Sequence, residues 1–353
     1  MKYILSLFLF VFFLAGCSKE DDFNPFNPRN PDPVNPGNTT RPASIGIVGD
    51  TADVTKTTSG GVVIMGGGAD VDAAFRWMIA RSGGGDAVII RASGTDAYNP
   101  YVNRLGSLNS VETLKIDSRK LAEDDGVARI IRNAELLFIA GGDQSDYTGY
   151  WKGTKVMDAI NYLLTVKKVP VGGTSAGAAI LGNFYFSGEK GSVVSSAALT
   201  NPYGSDILLY NGDFLRAPFL QSVITDQHFT QRDRQGRLVV FMGRIMKDWG
   251  KTPSGVAVDE ATAVCIDDAG MAEVVGSNKA FFIKAFSDKA PETFTSNTPV
   301  TWNWSGQALR VSAVSAKAAG NKFNMVTFEP ENTNGLTRSW WSVNTGRLSM
   351  VDD

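Results

Sequence analysis

Val169-Pro170-Val171-Gly172-Gly173-Thr174-Ser175-Ala176-Gly177-Ala178 is the stretch that decides how this chain folds. Its first residues form an apolar strand. Gly173-Thr-Ser-Ala-Gly177 then has the form G-x-S-x-G, and a helix-capable run, Ala176–Leu181, follows. Strand, sharp turn with serine at the apex, then helix is the setting of a nucleophile elbow. Glycines two positions either side of Ser175 permit the sharp turn. It lifts the hydroxyl clear of the sheet, and the Ala176 N–H faces a developing oxyanion at a helix N-terminus. The five-residue pattern alone is weak, because Gly, Ser and Ala are common; a purely structural turn is the alternative.

Outward from this strand the same alternation recurs. Apolar strand-like runs lie at Ile45–Val48, Val62–Met65, Ala87–Ile90, Thr113–Ile116, Leu136–Ala140 and Val169–Gly172. Between them, Val71, Phe75, Met78 and Ile79 share one helical face, as do Val156, Ile160, Leu163 and Leu164. Alternating strands and helices predict an α/β fold with a mostly parallel, doubly wound sheet. Ligands of such sheets bind at the strands' carboxyl ends, which directs attention to the glycine corners Gly66-Gly67-Gly68, Gly141-Gly142 and Gly172-Gly173. The triple glycine does not complete G-x-G-x-x-G, since position 71 is valine, so a tight turn is favoured over a dinucleotide site. After about Ala269 the strands become irregular and aromatic, with Trp302, Trp304, Trp340 and Trp341, a β-rich C-terminal elaboration.

Composition limits the chemistry. The 353 residues carry 34 Lys+Arg and 36 Asp+Glu, a balance that gives no case for nucleic acid. One histidine, His228, and two cysteines, Cys17 and Cys265, nearly exclude a zinc site, and no cofactor is expected. Any imidazole chemistry must use His228. It lies in Ile224-Thr-Asp-Gln-His-Phe-Thr-Gln-Arg-Asp-Arg-Gln-Gly-Arg237, where Asp226, Gln227, Arg232, Arg234 and Arg237 crowd round it. The arginines are suited to clamping carboxylates. The alternative is a solvated helix start with Arg232 and Arg234 paired to Asp226 and Asp233.

Gly-Gly-Thr-Ser-Ala-Gly-Ala178, Phe138-Ile-Ala-Gly-Gly-Asp-Gln144 and Asp-Gln-His-Phe-x-Gln-Arg-x-Arg-x-x-Arg237 together resemble the cyanophycinases. These are serine peptidases related to dipeptidase E, on a flavodoxin-like scaffold similar to class I glutamine amidotransferases. Val258-Asp259-Glu260 matches a further family segment, and the resemblance runs from about Gly61 to Phe286. It implies Ser175 as nucleophile, His228 as general base and Glu260 as the acid that orients the imidazole. It also implies Gln144, Asp226, Gln227, Arg232, Arg234 and Arg237 as substrate-binding residues; the N–H groups of Gly142 and Ala176 are expected to form the oxyanion hole. The substrate class implied is a peptide with β-linked aspartyl-arginine bonds. By themselves the residues leave Glu260 a surface acid at a strand end and Gln144 a helix cap. Two departures stand out: an insertion around Leu199–Phe214, and a tail beyond Phe286 that does not match. A catalytically silent binding protein and an α/β-hydrolase-type esterase are the rival readings.

The N-terminus adds a location. Met1–Gly16 places one lysine before a short apolar run, and Leu14-Ala15-Gly16-Cys17 resembles a lipobox, which makes Cys17 the expected lipidation site and membrane anchor. Ser18-Lys19-Glu20-Asp21-Asp22 resembles a surface-export signal; a solvated charge run is the alternative. Phe23–Pro42 holds six of the 14 prolines and five asparagines, the composition of an extended tether. The expected organisation is a signal peptide (1–16), a lipidated tether (17–43) and a peptidase domain (44–353, divergent over 286–353). The expected place is the cell envelope, at the outer membrane, facing the periplasm or the outside. A homodimer is one assembly open to it.

Overall fold

The structure, a computed structural model, describes residues 41–353. The leader, the lipobox with Cys17 and the tether up to residue 40 lie outside the described residues. Along the chain the elements are β1 (Ser44–Gly49), β2 (Gly61–Met65), α1 (Asp72–Arg81), β3 (Asp86–Arg91), α2 (Tyr98–Asn103), β4 (Ser110–Lys115), α3 (Arg119–Ala122), α4 (Asp125–Asn133), β5 (Leu136–Ile139), α5 (Gln144–Trp151), α6 (Lys155–Tyr162), β6 (Pro170–Thr174) and α7 (Ala176–Ala179). There follow β7 (Phe184–Phe186), α8 (Ser195–Thr200), β8 (Leu209–Asn211), β9 (Val223–Gln227), α9 (Gln235–Trp249), β10 (Ser254–Val258), β11 (Thr262–Asp267), β12 (Met271–Gly276), β13 (Lys279–Lys284), β14 (Leu309–Ser315), β15 (Phe323–Asn324), β16 (Glu329–Pro330), β17 (Leu336–Asn344) and β18 (Arg347–Asp352).

The first sheet runs β1-β4-β3-β5-β6-β2-β11-β12-β15-β16. Its centre, β4-β3-β5-β6-β2, is parallel. Antiparallel β1 closes one edge and antiparallel β11 extends the other. The continuous apolar runs follow from burial on both faces. In β2, Val62 and Ile64 enter a core with residues of α4 and α6, while Val63 and Met65 face a core with Phe75 and Met78 of α1. The predicted helical face of α6 is buried through Leu164, but the α-helix ends at Tyr162. A wider turn, Leu163–Lys167, carries the chain to Lys168 in the left-handed region (φ 57°).

The sequence did not reveal that the chain builds a second sheet, β18-β17-β14-β13-β10-β9-β7-β8. Within it β7, β9 and β10 are parallel and the rest antiparallel. One face, through Val223, Val256, Val258 and Phe282, shares the core of the first sheet; the other, through Ile224, Ala257, Ile283 and Val311, is covered by α9. The aromatic C-terminal strands are part of this second sheet, with Trp302 and Trp341 buried in the α9 core. The chain crosses from one sheet to the other between β10 and β11. That crossing is where the site forms.

Candidate active site

Parallel neighbours bring the glycine corners Gly66-Gly67-Gly68 and Gly141-Gly142 to the serine turn, whereas Gly172-Gly173, expected as a third corner, lies within β6. Because β5, β6 and β2 are adjacent, the segments after their carboxyl ends meet at one point. At its apex Ser175 has φ 50° and ψ −118°, a conformation rare for a residue with a side chain. Two close approaches explain the flanking glycines. A Cβ on Gly173 would come within 2.5 Å of the Gly177 backbone, and one on Gly177 within 2.2 Å of the Ile139 carbonyl oxygen. The Ser175 N–H donates to the Met65 carbonyl (3.2 Å), which ties the turn to β2. The following helix is a single turn, Ala176–Ala179, shorter than the run Ala176–Leu181 suggested. A one-turn helix contributes little macrodipole, so stabilisation of negative charge rests on individual N–H groups. Ala176 is the first residue of α7, where its N–H has no intrahelical acceptor. Ala176 and Gly142 border the same cleft as Ser175.

The other half of the site comes from the second sheet. Parallel β9 and β10 place Gln227 beside Val258, so His228 and Glu260 emerge from adjacent strand ends. The Ser175 Oγ lies 2.8 Å from His228 Nε2, and His228 Nδ1 lies 2.6 Å from Glu260 Oε1. A carboxylate accepts hydrogen bonds, so the neutral ring donates Nδ1–H to Glu260 and keeps Nε2 as acceptor of the serine proton. His228 is 6% exposed. Burial pushes its pKa below the ordinary value of 6.5; the Glu260 hydrogen bond opposes that shift, and the nearby Arg232 and Arg234 charges reinforce it.

The triple glycine backs this pair. His228 sits at φ 48° and its N–H donates to the Gly66 carbonyl (2.8 Å), while the Ala261 N–H donates to the Gly67 carbonyl (2.9 Å). A Cβ on Gly67, itself at φ 88°, would stand 2.3 Å from His228 Cε1. Gly67→Ala is therefore expected to displace the imidazole and lower kcat by about 10²-fold, the cost of a misplacement near 1 Å. Lost turnover is the expected pattern, with some loss of thermal stability because alanine is strained at φ 88°; unchanged turnover would mean that Gly67 is only a turn.

Further supports have no counterpart in the sequence reading. Asp259 Oδ1 accepts from the Thr230 N–H (2.9 Å) and hydroxyl (2.7 Å). Gln231 Oε1 accepts the Glu260 N–H (3.0 Å), and Asn278 Nδ2 donates to the Glu260 carbonyl (2.8 Å). Gln231 and Asp259 stand inside the quoted motifs, but spacing gave them no partner. Asn278 carries no sequence signal.

The candidate substrate residues divide into two groups. Asp226 and Arg237 are 2% and 4% exposed and bind each other, with Arg237 Nε 2.8 Å from Asp226 Oδ2 and a second contact between Nη2 and Oδ1. Their hydrogen-bonding capacity is largely taken up by that pair, with the Arg237 guanidinium beside the stacked Phe186 and Phe241 rings. Arg234 Nη1 donates to the Gln227 carbonyl (2.8 Å) and lies 3.5 Å from Asp226 Oδ1. Burial lowers its guanidinium to about 10, still cationic at neutral pH. Arg232 is exposed on the cleft, and among the described residues nothing pairs with it. Gln227 Nε2 is buried without a hydrogen-bond partner. Gln144 opens α5, after Asp143 caps that helix by accepting the Ser145 N–H (2.9 Å). The resulting cleft, of about 280 Å³, presents Gln144, Gln227, Arg232 and Arg234 beside Ser175. Donors outnumber acceptors, which suits a substrate bearing carboxylates and carbonyls. Among the described residues no three His, Cys, Asp or Glu side chains gather to hold a metal. Cys265 is buried in β11, and burial raises its thiol pKa.

Comparison with known proteins places this geometry in a family. The family model described as peptidase family S51 matches residues 57–274. The chain is 25% identical over 235 residues to a cyanophycinase of Geminocystis herdmanii, covering 67% of this chain and 78% of that one. It is 27% identical over 244 residues to a cyanophycinase of Trichormus variabilis, covering 66% and 75%. A solved structure of a peptidase from an acI-B1 actinobacterium superposes with a TM-score of 0.51 at 15% identity, covering 76% of this chain and 98% of that one, and so shares the fold. The family match takes in the glycine corner, the elbow, the histidine motif and Glu260, and the chain belongs to peptidase family S51, the serine-type peptidases.

Proposed function

We propose that this chain is a lipid-anchored envelope peptidase of cyanophycinase type, which hydrolyses β-linked aspartyl-arginine bonds through an acyl-enzyme on Ser175. The observation that carries the reading is the Ser175–His228–Glu260 chain of contacts at 2.8 and 2.6 Å, set in a donor-rich cleft. The cyanophycinase names of the relatives support the substrate class. In this mechanism His228 Nε2 takes the Ser175 proton as Oγ attacks the scissile carbonyl. The imidazolium that forms is stabilised by Glu260. The Gly142 and Ala176 N–H groups hold the oxyanion, each such donor contributing about 3 kcal/mol in comparable sites. The tetrahedral adduct collapses as His228 hands its proton to the leaving amine. Water, deprotonated by the same nitrogen, then releases the acyl group. Arg232, Arg234, Gln227 and Gln144 bind the carboxylate and carbonyl groups of the aspartyl unit. Asp226 and Arg237 act as a buttress that shapes this wall.

The test is incubation of the full chain with cyanophycin, β-aspartyl-arginine and α-aspartyl peptides, with products identified by mass. Release of free arginine supports the reading; release of intact β-aspartyl-arginine units means that the enzyme cuts the aspartyl backbone and not the β-linked bond. Cleavage of aryl esters without any aspartyl peptide overturns it, as does labelling failure of Ser175 by a fluorophosphonate. The histidine pKa adds a sign. Because it lies below its ordinary value, the neutral, proton-accepting ring persists to lower pH. The acid limb of kcat/KM is therefore expected below pH 6.5, with a plateau through neutrality. A limb above 6.5 would contradict the burial argument.

A further inference from the structure

The Leu199–Phe214 segment contains β8, and β8 holds one wall of the cleft. It pairs with β7 at Phe184↔Asn211, Tyr185↔Tyr210 and Phe186↔Leu209, and Ser187 N–H continues the ladder to the Leu208 carbonyl (3.1 Å). The chain then makes a tight turn, Gly188-Glu189-Lys190-Gly191, closed by the Gly191 N–H on the Gly188 carbonyl (2.8 Å). The far stem is held by Arg237 Nη1, which donates to Ser192 Oγ (3.3 Å). Gly188, Gly191 and Ser192 line the cleft, and a Cβ on Gly188 would lie 2.9 Å from Gln144 Nε2. The turn thus stands against a residue of the donor group.

The tip carries two exposed charges, and only one is fixed. The Tyr210 hydroxyl, on β8, donates to Glu189 Oε2 (3.2 Å); no such contact holds Lys190 among the described residues. Tyr210 is itself fixed. Its ring stacks on Tyr185 at 5.4 Å, and Lys152 Nζ lies 4.1 Å from its centroid. Tyr185 in turn donates to Asp213 (2.7 Å), which pairs with Lys152 (2.5 Å). One carboxylate oxygen of Glu189 is taken by the phenol and the other remains to accept. Gly188 and Gly191 on either side of Glu189 line the cleft, so the turn sets this acceptor at the edge of a cleft whose polar side chains are mostly donors.

We infer that the 187–192 turn, held by strand β8, is a specificity wall on which Glu189 receives a cationic side chain of the substrate. This rests on the peptidase reading given above. Tyr210 is a positioning residue: it aims the Glu189 carboxylate and touches no substrate. The pairing forms at the rim, in contact with solvent, so its expected effect is modest, about five-fold.

The experiment compares β-aspartyl-arginine with β-aspartyl-citrulline, which replaces the guanidinium by a neutral urea of the same shape. In Glu189→Gln the preference for the arginine peptide, as a ratio of kcat/KM values, is expected to fall about five-fold, mainly through KM. Tyr210→Phe keeps the stacked ring and is expected to lower the ratio in part. A merely structural role for either residue changes both peptides alike and leaves the ratio where it was, which overturns the inference. A second measurement does not need turnover. Calorimetric binding of both peptides to Ser175→Ala, with and without Glu189→Gln, should show the same five-fold loss for the arginine peptide alone. Equal affinities for the two peptides, or binding of neither, overturn the inference. Selective binding by a wild-type chain that hydrolyses neither these peptides nor cyanophycin overturns instead the peptidase reading of the site.

Discussion

Ser175→Ala is expected to lower aspartyl-peptide hydrolysis by about 10⁴-fold or more while the fold survives. The change deletes one oxygen. Alanine meets the same backbone demand at φ 50° and ψ −118° that serine already meets, so no new strain enters the elbow. The Met65 carbonyl keeps its bond from the residue 175 N–H, and the two glycine contacts that shape the turn are untouched. The one interaction removed is the 2.8 Å contact with His228 Nε2, on a ring that lines the cleft. Hydrolysis products, measured against an unfolding curve, separate chemistry from stability. His228→Ala is expected to cost as much in turnover and more in stability, because its ring is 6% exposed and packs on Gly67. The double variant should be no slower than either single one, since nucleophile and base act as a unit. Additive losses, or a Ser175→Ala variant retaining a tenth of the activity, would rule out this pair as the reacting groups.

What the sequence made legible follows from the range of each signal. The elbow is a local event: the apolar strand, the two flanking glycines and the small residues after them all lie within ten positions, and the structure reproduces them in order. The parallel centre of the first sheet was legible for the same reason, since strands buried on both faces read as unbroken apolar runs. The second sheet was not. Its strands β10 and β13 are also short and largely apolar, but the parallel β7-β9-β10 set and the return of β14 and β17 are pairings between distant segments that leave no periodic trace. The glycine corner shows a related limit. Three glycines announce a turn, but the approach of Gly67 to the imidazole depends on the ends of β2 and β9, from different sheets, meeting there. Charge density around His228 was visible, but not how the charges pair. Spacing offered Arg232 and Arg234 as partners for Asp226 and Asp233, whereas Arg237, eleven residues on from Asp226 and on α9, takes the main contact. That pairing explains why two of the candidate binding residues are so deeply buried and why Arg232 stays open to the cleft.

Glu260→Gln is expected to lower kcat by about 10³–10⁴-fold with little change in KM, an effect out of proportion to a change of one atom. The reason is the proton on the imidazole. Glu260 accepts from Nδ1 at 2.6 Å, which leaves Nε2 unprotonated toward Ser175. An amide can turn its NH₂ to Nδ1 and donate, which stabilises the tautomer carrying hydrogen on Nε2. That tautomer cannot take the serine proton. The amide also gives nothing to the imidazolium formed in the transition state. Position is not the issue, because the backbone of residue 260 stays clamped by Gln231 and Asn278. Glu260→Asp keeps the charge but draws it back by one methylene, and should fall between the two. The pH profile separates this role from a structural one. The Glu260 hydrogen bond holds the His228 pKa up against burial and against Arg232 and Arg234. Removing it lets those effects act unopposed, so the residual activity of Glu260→Gln should have its acid limb at a lower pH than wild type. A limb that moves upward, or a kcat within ten-fold of wild type, would mean that the carboxylate neither fixes the tautomer nor supports the cation. His228 would then owe its orientation to the glycine corner alone.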